Sequence, residues 1–255
     1  IAVVATPYSL KFLWAPIIDK MPLPWLTKRF GRRRSWLVFT QFALIGSILW
    51  LGGVVPVAAP FTMALAAFAV ALASASQDIV IDAFRIESLE DRQLGAGAAM
   101  YVFGYRVAML VSGAGGIWAG VRYGWQTTYA AMAVLVLVGV LTTLASREPS
   151  RKSDSRADFL EALGARYIER MATGSVALRS MLTWIYDAVI CPFAEFMTRR
   201  GWLVILLFVI FFKFGDTLAG AMTNPFLVKI GFSNDEIAGV AKVFGFTATI
   251  AGLFL

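Results

Sequence analysis

The chain has 255 residues, of which 59% are hydrophobic and only 15% charged, and its mean hydropathy of +0.72 excludes an ordinary soluble core. The net charge is +7, from 23 Lys and Arg against 16 Asp and Glu. The lack of His excludes His-based acid–base catalysis and His metal ligands, and the single Cys191 excludes a disulfide framework within the chain.

The apolar residues fall into seven blocks: 1–18, 35–54, 61–84, 96–120, 125–146, 202–222 and 236–255. Each is near the length that spans about 30 Å of hydrocarbon as a helix. They are continuously apolar rather than alternating, so a transmembrane β-barrel is excluded. The first and last blocks run to Ile1 and Leu255, and no signal-peptide pattern is present. The chain therefore reads as part of a longer all-α membrane protein.

In chain order, block 1–18 carries Lys11 and leads into a loop holding Lys20, Lys28, Arg29, Arg32, Arg33 and Arg34. Block 35–54 has no charge. Block 61–84 ends in Gln77, Asp78 and Asp82, and its loop holds Arg85 and Arg92. Block 96–120 carries Arg106 and a run of glycines, which suits either tight helix packing or a hinge. Block 125–146 again has no charge. The stretch 147–201 is the long polar region and is rich in Arg. Blocks 202–222 and 236–255 then carry Lys213, Asp216 and Lys242, with Asn224 just beyond the first of them.

Most Lys and Arg thus sit in alternate loops, 20–34, 85–95 and 147–201, and the positive-inside rule puts these in the cytosol. Block one runs from outside to inside, so an odd number of spans, most simply one, is expected before it. The basic surplus is a topology signal and an attraction to anionic lipid, not a nucleic-acid footprint. Six helices, a long cytosolic linker and further helices is the layout of the major facilitator fold. Three regions follow: 1–146 as an N-terminal bundle of helices two to six, 147–201 as a linker, and 202–255 as the start of a C-terminal bundle. About seven of twelve helices would be present. The charge-free blocks become helices three and six, expected at the lipid-facing periphery. Within 158–196, helical spacing of Phe159, Leu160, Leu163, Tyr167, Leu182, Trp184 and Phe193 predicts amphipathic helices. These lie on the membrane surface or pack on the cytosolic face.

A charge at mid-bilayer costs about 2.5–3.5 kcal/mol and needs a partner or a wet cavity. Asp78 and Asp82 are one turn apart on one face. Asp78 lies about 12 Å deep and Arg106 about 15 Å deep from the same side, which suggests a pair. Lys213 and Asp216 likewise share a face. A carboxyl group in a low-dielectric setting holds its proton more tightly and can cycle it as a cavity opens to each side. Proton coupling with recognition of a polar, anionic solute is one reading, and static salt bridges between helices are the other.

Several runs carry a resemblance. They are Phe12-Leu13-Trp14-Ala15-Pro16 with Asp19 and Gly31-Arg32-Arg33-Arg34-Ser35-Trp36, then Ser74 to Ala83 (SASQDIVIDA), Gly104 to Gly113 (GYRVAMLVSG), and Lys213 to Gly220 (KFGDTLAG). These resemble the AmpG-type muropeptide permeases of the major facilitator superfamily, which are related to acetyl-CoA transporters. The insert Lys20 to Phe30 between Asp19 and Gly31 departs from the general superfamily pattern but is similar to this family.

The resemblance implies proton-coupled import of anhydromuropeptides (GlcNAc-anhydroMurNAc peptides) across the bacterial inner membrane, for peptidoglycan recycling. Transport of acetyl-CoA or another anionic metabolite is the alternative. Asp78, Asp216 and Asp82 would serve proton coupling. Lys11, Gln77, Arg106, Lys213, Lys242 and Asn224 would bind substrate, and Asp19, Gly31, Arg32, Arg33 and Arg34 would form a gate. No catalytic residue, metal or cofactor is expected beyond the proton gradient, and the protein should act as a monomer in the lipid bilayer.

Overall fold

The computed structural model describes residues 2–150, 159, 162–163, 176–232 and 245–252. The described residues are helical, with no strand among them. The chain divides into two compact units, Ile1–Lys152 and Ser153–Leu255.

The first unit begins with α1 (Ala2–Leu10), a 3-10 turn at Lys11–Leu13, and α2 (Ala15–Lys20). Block 1–18 is therefore not one continuous span. Pro16 lacks an amide proton, and its ring crowds the carbonyl one turn back, so the α-helix cannot run through Lys11–Leu13 unbroken. After the short α3 (Leu26–Phe30) come α4 (Arg32–Gly53), α5 (Pro60–Ser88), α6 (Leu94–Leu110), α7 (Gly116–Tyr123) and α8 (Trp125–Ala145). α6 and α7 are joined by a π-helical turn at Val111–Gly115, and the whole run Asp91–Tyr123 is long and apolar enough to cross a membrane. So are α4, α5, α8 and the Trp202–Gly220 part of the second unit, giving five such segments among the described residues.

α4 packs against both α5 and α8. Trp36 and Leu37 of α4 meet Ile18 of α2 and Val80 of α5 in the buried core, with Trp14, Leu23 and Phe84 against it. Small buried residues on α5, Ala66, Ala71 and Ala75, let α4 come close. Towards α8, Gln41 Nε2 donates to Thr143 Oγ1 at 3.1 Å, and both residues are buried. Gly52 admits Tyr129, since a Cβ there would lie 2.6 Å from the Tyr129 Cβ.

α4, the expected helix three, has one packed side, while Phe39, Phe42, Leu49 and Trp50 are exposed. Its buried set includes Ser35, Thr40, Gln41 and Ser47, all neutral groups that suit a dry helix interface as well as the absence of charge suits lipid. The glycines of block 96–120 differ from a packing seam. Around Gly104 and Gly113 a Cβ would meet nothing within 4 Å, while only Gly97 and Gly120 are crowded by side chains, from Leu89 and Trp125.

In the second unit, α9 (Val176–Ile185) continues through a π-helical turn at Tyr186–Ile190 into α10 (Cys191–Thr198). Ala188 and Cys191 are buried, while Met181, Leu182, Ile190, Phe193 and Met197 are exposed. After Gly201 in the left-handed region comes α11 (Trp202–Lys229), seven residues longer than block 202–222. α12 (Gly245–Gly252) falls within block 236–255, whose other residues lie outside the described set. Of the expected linker helix residues, Leu160 and Tyr167 also lie outside it.

Candidate substrate cavity and basic latch

α1, α5 and α6 enclose a cavity of about 730 Å³. That volume suits a small-molecule site. Its lining follows helical spacing: Ser74, Gln77, Asp78 and Ile81 from α5, and Tyr101, Gly104, Tyr105 and Ala108 from α6, with Met100 and Tyr8 completing it. Tyr8 donates its hydroxyl to Ser74 Oγ at 2.7 Å, tying α1 to α5. On the neighbouring position Trp14 Nε1 donates to Ser76 Oγ at 3.1 Å, and this fixes the start of α2 against the same helix.

Gln77 and Asp78 therefore both face the cavity. The Gln77 Oε1 is buried without a donor. Asp78 feels the charges of Lys11 and Asp82. Lys11 stands at the break between α1 and α2. No ion pair joins Asp78 to Arg106; the Arg106 Nε is buried without an acceptor. Depth along a helix does not fix direction around it. Arg106 follows Tyr105 by one residue, a rotation of about 100° away from the cavity-lining face. Asp82 pairs with Arg85 at 3.0 Å, and the Arg85 guanidinium lies over the Tyr101 ring, 5.1 Å from its centroid. Lys213, Asp216 and Asn224 are positions on α11. Lys242 and the side chains of Asp216 and Asn224 lie outside the described residues.

A second charged cluster stands where α2, α5 and α8 end and α4 begins. Arg33 is only 6% exposed. It donates to Asp19 Oδ1 at 2.6 Å and to Glu87 Oε1 at 2.6 Å, linking three helices through one guanidinium. Arg32 bonds the Asp19 carbonyl and reaches Glu87 at 3.1 Å. Arg34 turns the other way, donating to the Thr143 carbonyl at 3.0 Å and the Leu144 carbonyl at 2.6 Å, at the end of α8. Glu148 returns the favour. Its carboxylate accepts from the Arg33 and Arg34 amides at 2.7 and 3.0 Å, at the positive end of the α4 dipole. Gly31 has φ +90, and a Cβ there would lie 2.4 Å from Glu148 Cδ, so glycine is required twice over. The loop leading in is pinned by Trp36 Nε1 donating to the Met21 carbonyl at 2.8 Å.

The structure brings Asp19, Gly31, Arg32, Arg33 and Arg34 together, and Gln77 with Asp78 near Lys11. Sequence reasoning missed Glu87, Glu148, Tyr8, Tyr101 and Tyr105. The topology argument counted Lys and Arg alone, so the carboxylates flanking those loops went unread. For the tyrosines, spacing of i and i+4 on the Arg106 helix was the available signal.

The sequence profile described as Major Facilitator Superfamily matches residues 2–255. The chain belongs to the Major Facilitator Superfamily. Family membership and the five apolar spans make it a multi-pass membrane protein. The anhydromuropeptide permease of Escherichia coli K12 is 35% identical over 253 residues, 98% of this chain and 45% of that protein. AmpG 4 of Rickettsia felis is 32% identical over 255 residues, 99% of this chain and 56% of that protein. An uncharacterised protein of Haemophilus influenzae is 33% identical over 243 residues, 94% of this chain and 50% of that protein. The chain spans about half the length of these curated relatives. Within the superfamily frame, the cavity and the charged cluster occupy the matched region.

Proposed function

We propose that this chain is part of a proton-coupled permease that carries anhydromuropeptides across the bacterial inner membrane to the cytosol, acting as a carrier and not as an enzyme. The observation that carries the reading is the cavity itself. A carboxylate, Asp78, lies in the middle of an apolar helix facing a 730 Å³ space beside Lys11, in a chain similar over 98% of its length to a permease named for that substrate.

The chemistry fits. A muropeptide carries free carboxylates, which Lys11 can meet, and amides and hydroxyls, which can supply the donor missing at Gln77. A proton on Asp78 removes a negative charge from the cavity wall and favours an anionic substrate there, and a bound anion favours that proton in turn, so the two binding events are linked. Asp216 is proposed for proton coupling, and Lys213, Asn224 and Lys242 for substrate binding. The cluster Asp19, Arg32, Arg33, Arg34 with Glu87 is proposed as the latch at the cytosolic end, with loops 20–34, 85–95 and 147–201 on that side. A monomer suffices for this scheme.

Uptake of labelled anhydromuropeptide by cells expressing the full protein tests it. Asp78→Asn should leave the protein in the membrane and abolish uptake. Uptake that ignores external pH would sink the coupling, and normal uptake by Asp78→Asn would make that carboxylate structural.

A further inference from the structure

We propose that Tyr101 and Tyr105 of α6 form a carbohydrate-stacking wall, against which a pyranose ring of a glycopeptide substrate lies. The inference rests on the muropeptide reading and adds which half of such a substrate meets which helix.

The two rings are one turn apart on one face, and both line the cavity. Gly104 lies between them, and the space where its side chain would stand is empty to 4 Å. Beside the two rings, the absent side chain of Gly104 leaves a slot on the α6 side of the cavity. Tyr101 is pre-set, because Arg85 covers one face of its ring and is itself held by Asp82. Ordering that ring costs little on binding, since the cation has already fixed it. Tyr105 is 57% exposed and has its hydroxyl free to turn.

The opposite side of the cavity has different chemistry. There Gln77 and Asp78 line the wall, and Tyr8 has committed its hydroxyl to Ser74. The two long helices thus differ in what they present: α6 contributes the Tyr101 and Tyr105 rings, and α5 the polar side chains of Ser74, Gln77 and Asp78. A glycopeptide is divided in the same way. The axial C–H face of a pyranose packs on an aromatic ring while its hydroxyls bond at the edge, which suits the amphipathic phenol of tyrosine. Polar groups of the peptide suit the α5 side. Placing the sugar on α6 and the peptide towards α5 satisfies both halves at once.

The test uses purified full-length protein and the free disaccharide GlcNAc-anhydroMurNAc, without peptide, titrated by calorimetry. The parent should bind the disaccharide. Tyr105→Ala should weaken it about tenfold, the scale of a lost ring contact, and Tyr105→Phe should recover most of that loss, because stacking needs the ring and not the hydroxyl. Gly104→Leu keeps both tyrosines but fills the slot, and should weaken binding at least as much. Gel filtration reports whether each variant is folded, and the glycine variant keeps the test decisive if Tyr105→Ala is not. A parent that fails to bind the disaccharide, or disaccharide binding unchanged in both Tyr105→Ala and Gly104→Leu, overturns the wall. Disaccharide binding that depends on Tyr105 in a protein that takes up no muropeptide keeps the wall and overturns the transport reading instead.

Discussion

Arg33 shows how a single side chain can hold helix ends together. Its guanidinium is buried and satisfies two carboxylates from different helices, so removing it strips Asp19 of this partner and leaves Glu87 with Arg32 alone. Arg33→Ala should cost about 3 kcal/mol, the low end for breaking a buried pair, because Asp19 is 42% exposed and partly screened. A thermal midpoint in detergent that does not fall would refute this. Gly31→Ala faces a different penalty, since the backbone has φ +90 and the new methyl meets Glu148. It should cost about 1–3 kcal/mol, whereas Gly53→Ala, with nothing within 4 Å, should be neutral or better in the same measurement. The sequence made Asp19 and the arginines visible through an unusual basic run. Glu87 and Glu148 were not legible, because a lone carboxylate near a loop looks like solvated surface until the fold puts a guanidinium or a helix end against it. Asp78 and Gln77 stood out by being polar in an apolar block.

Between elements, the α4–α8 contact combines a close backbone approach at Gly52 with one polar bridge, Gln41 to Thr143. In a lipid setting such a bridge is worth about 0.6–2 kcal/mol. Thr143→Val should lower the thermal midpoint by leaving the Gln41 amide without its acceptor, and Gln41→Leu combined with Thr143→Val should regain part of the loss. An additive double-mutant cycle would show that the bridge contributes nothing. Helix existence and length were legible for α4, α5 and α8, where long apolar runs have no interior proline. They were not legible for block 1–18, whose composition is apolar enough but whose Pro7 and Pro16 decide the local geometry. Apolar runs also do not say which face a helix buries. The charge-free stretch of α4 carries both the buried Thr40, Gln41 and Ser47 and the exposed Phe39, Phe42 and Trp50, and composition does not separate the two faces.

At the scale of the molecule, the family and the helical membrane class were legible because they rest on composition, block length and long sequence runs. The proposed sidedness rests on loop charge alone and has a direct test. With Cys191, the chain's one cysteine, replaced by Ser, a thiol at Lys28→Cys should react with impermeant reagent only from the cytosolic side. One at Arg122→Cys should react only from the other side. The same pattern reversed, or both thiols reacting from one side, would defeat the orientation. The latch has a further effect on how the bundle loosens. Arg34 covers the last carbonyls of α8 while Glu148, just beyond α8, covers the first amides of α4. Neither helix end can fray without uncovering the other. In hydrogen exchange, the amides of Arg33 and Arg34 should therefore open in step with the final turn of α8, as one small cooperative unit, although more than a hundred residues of chain lie between them.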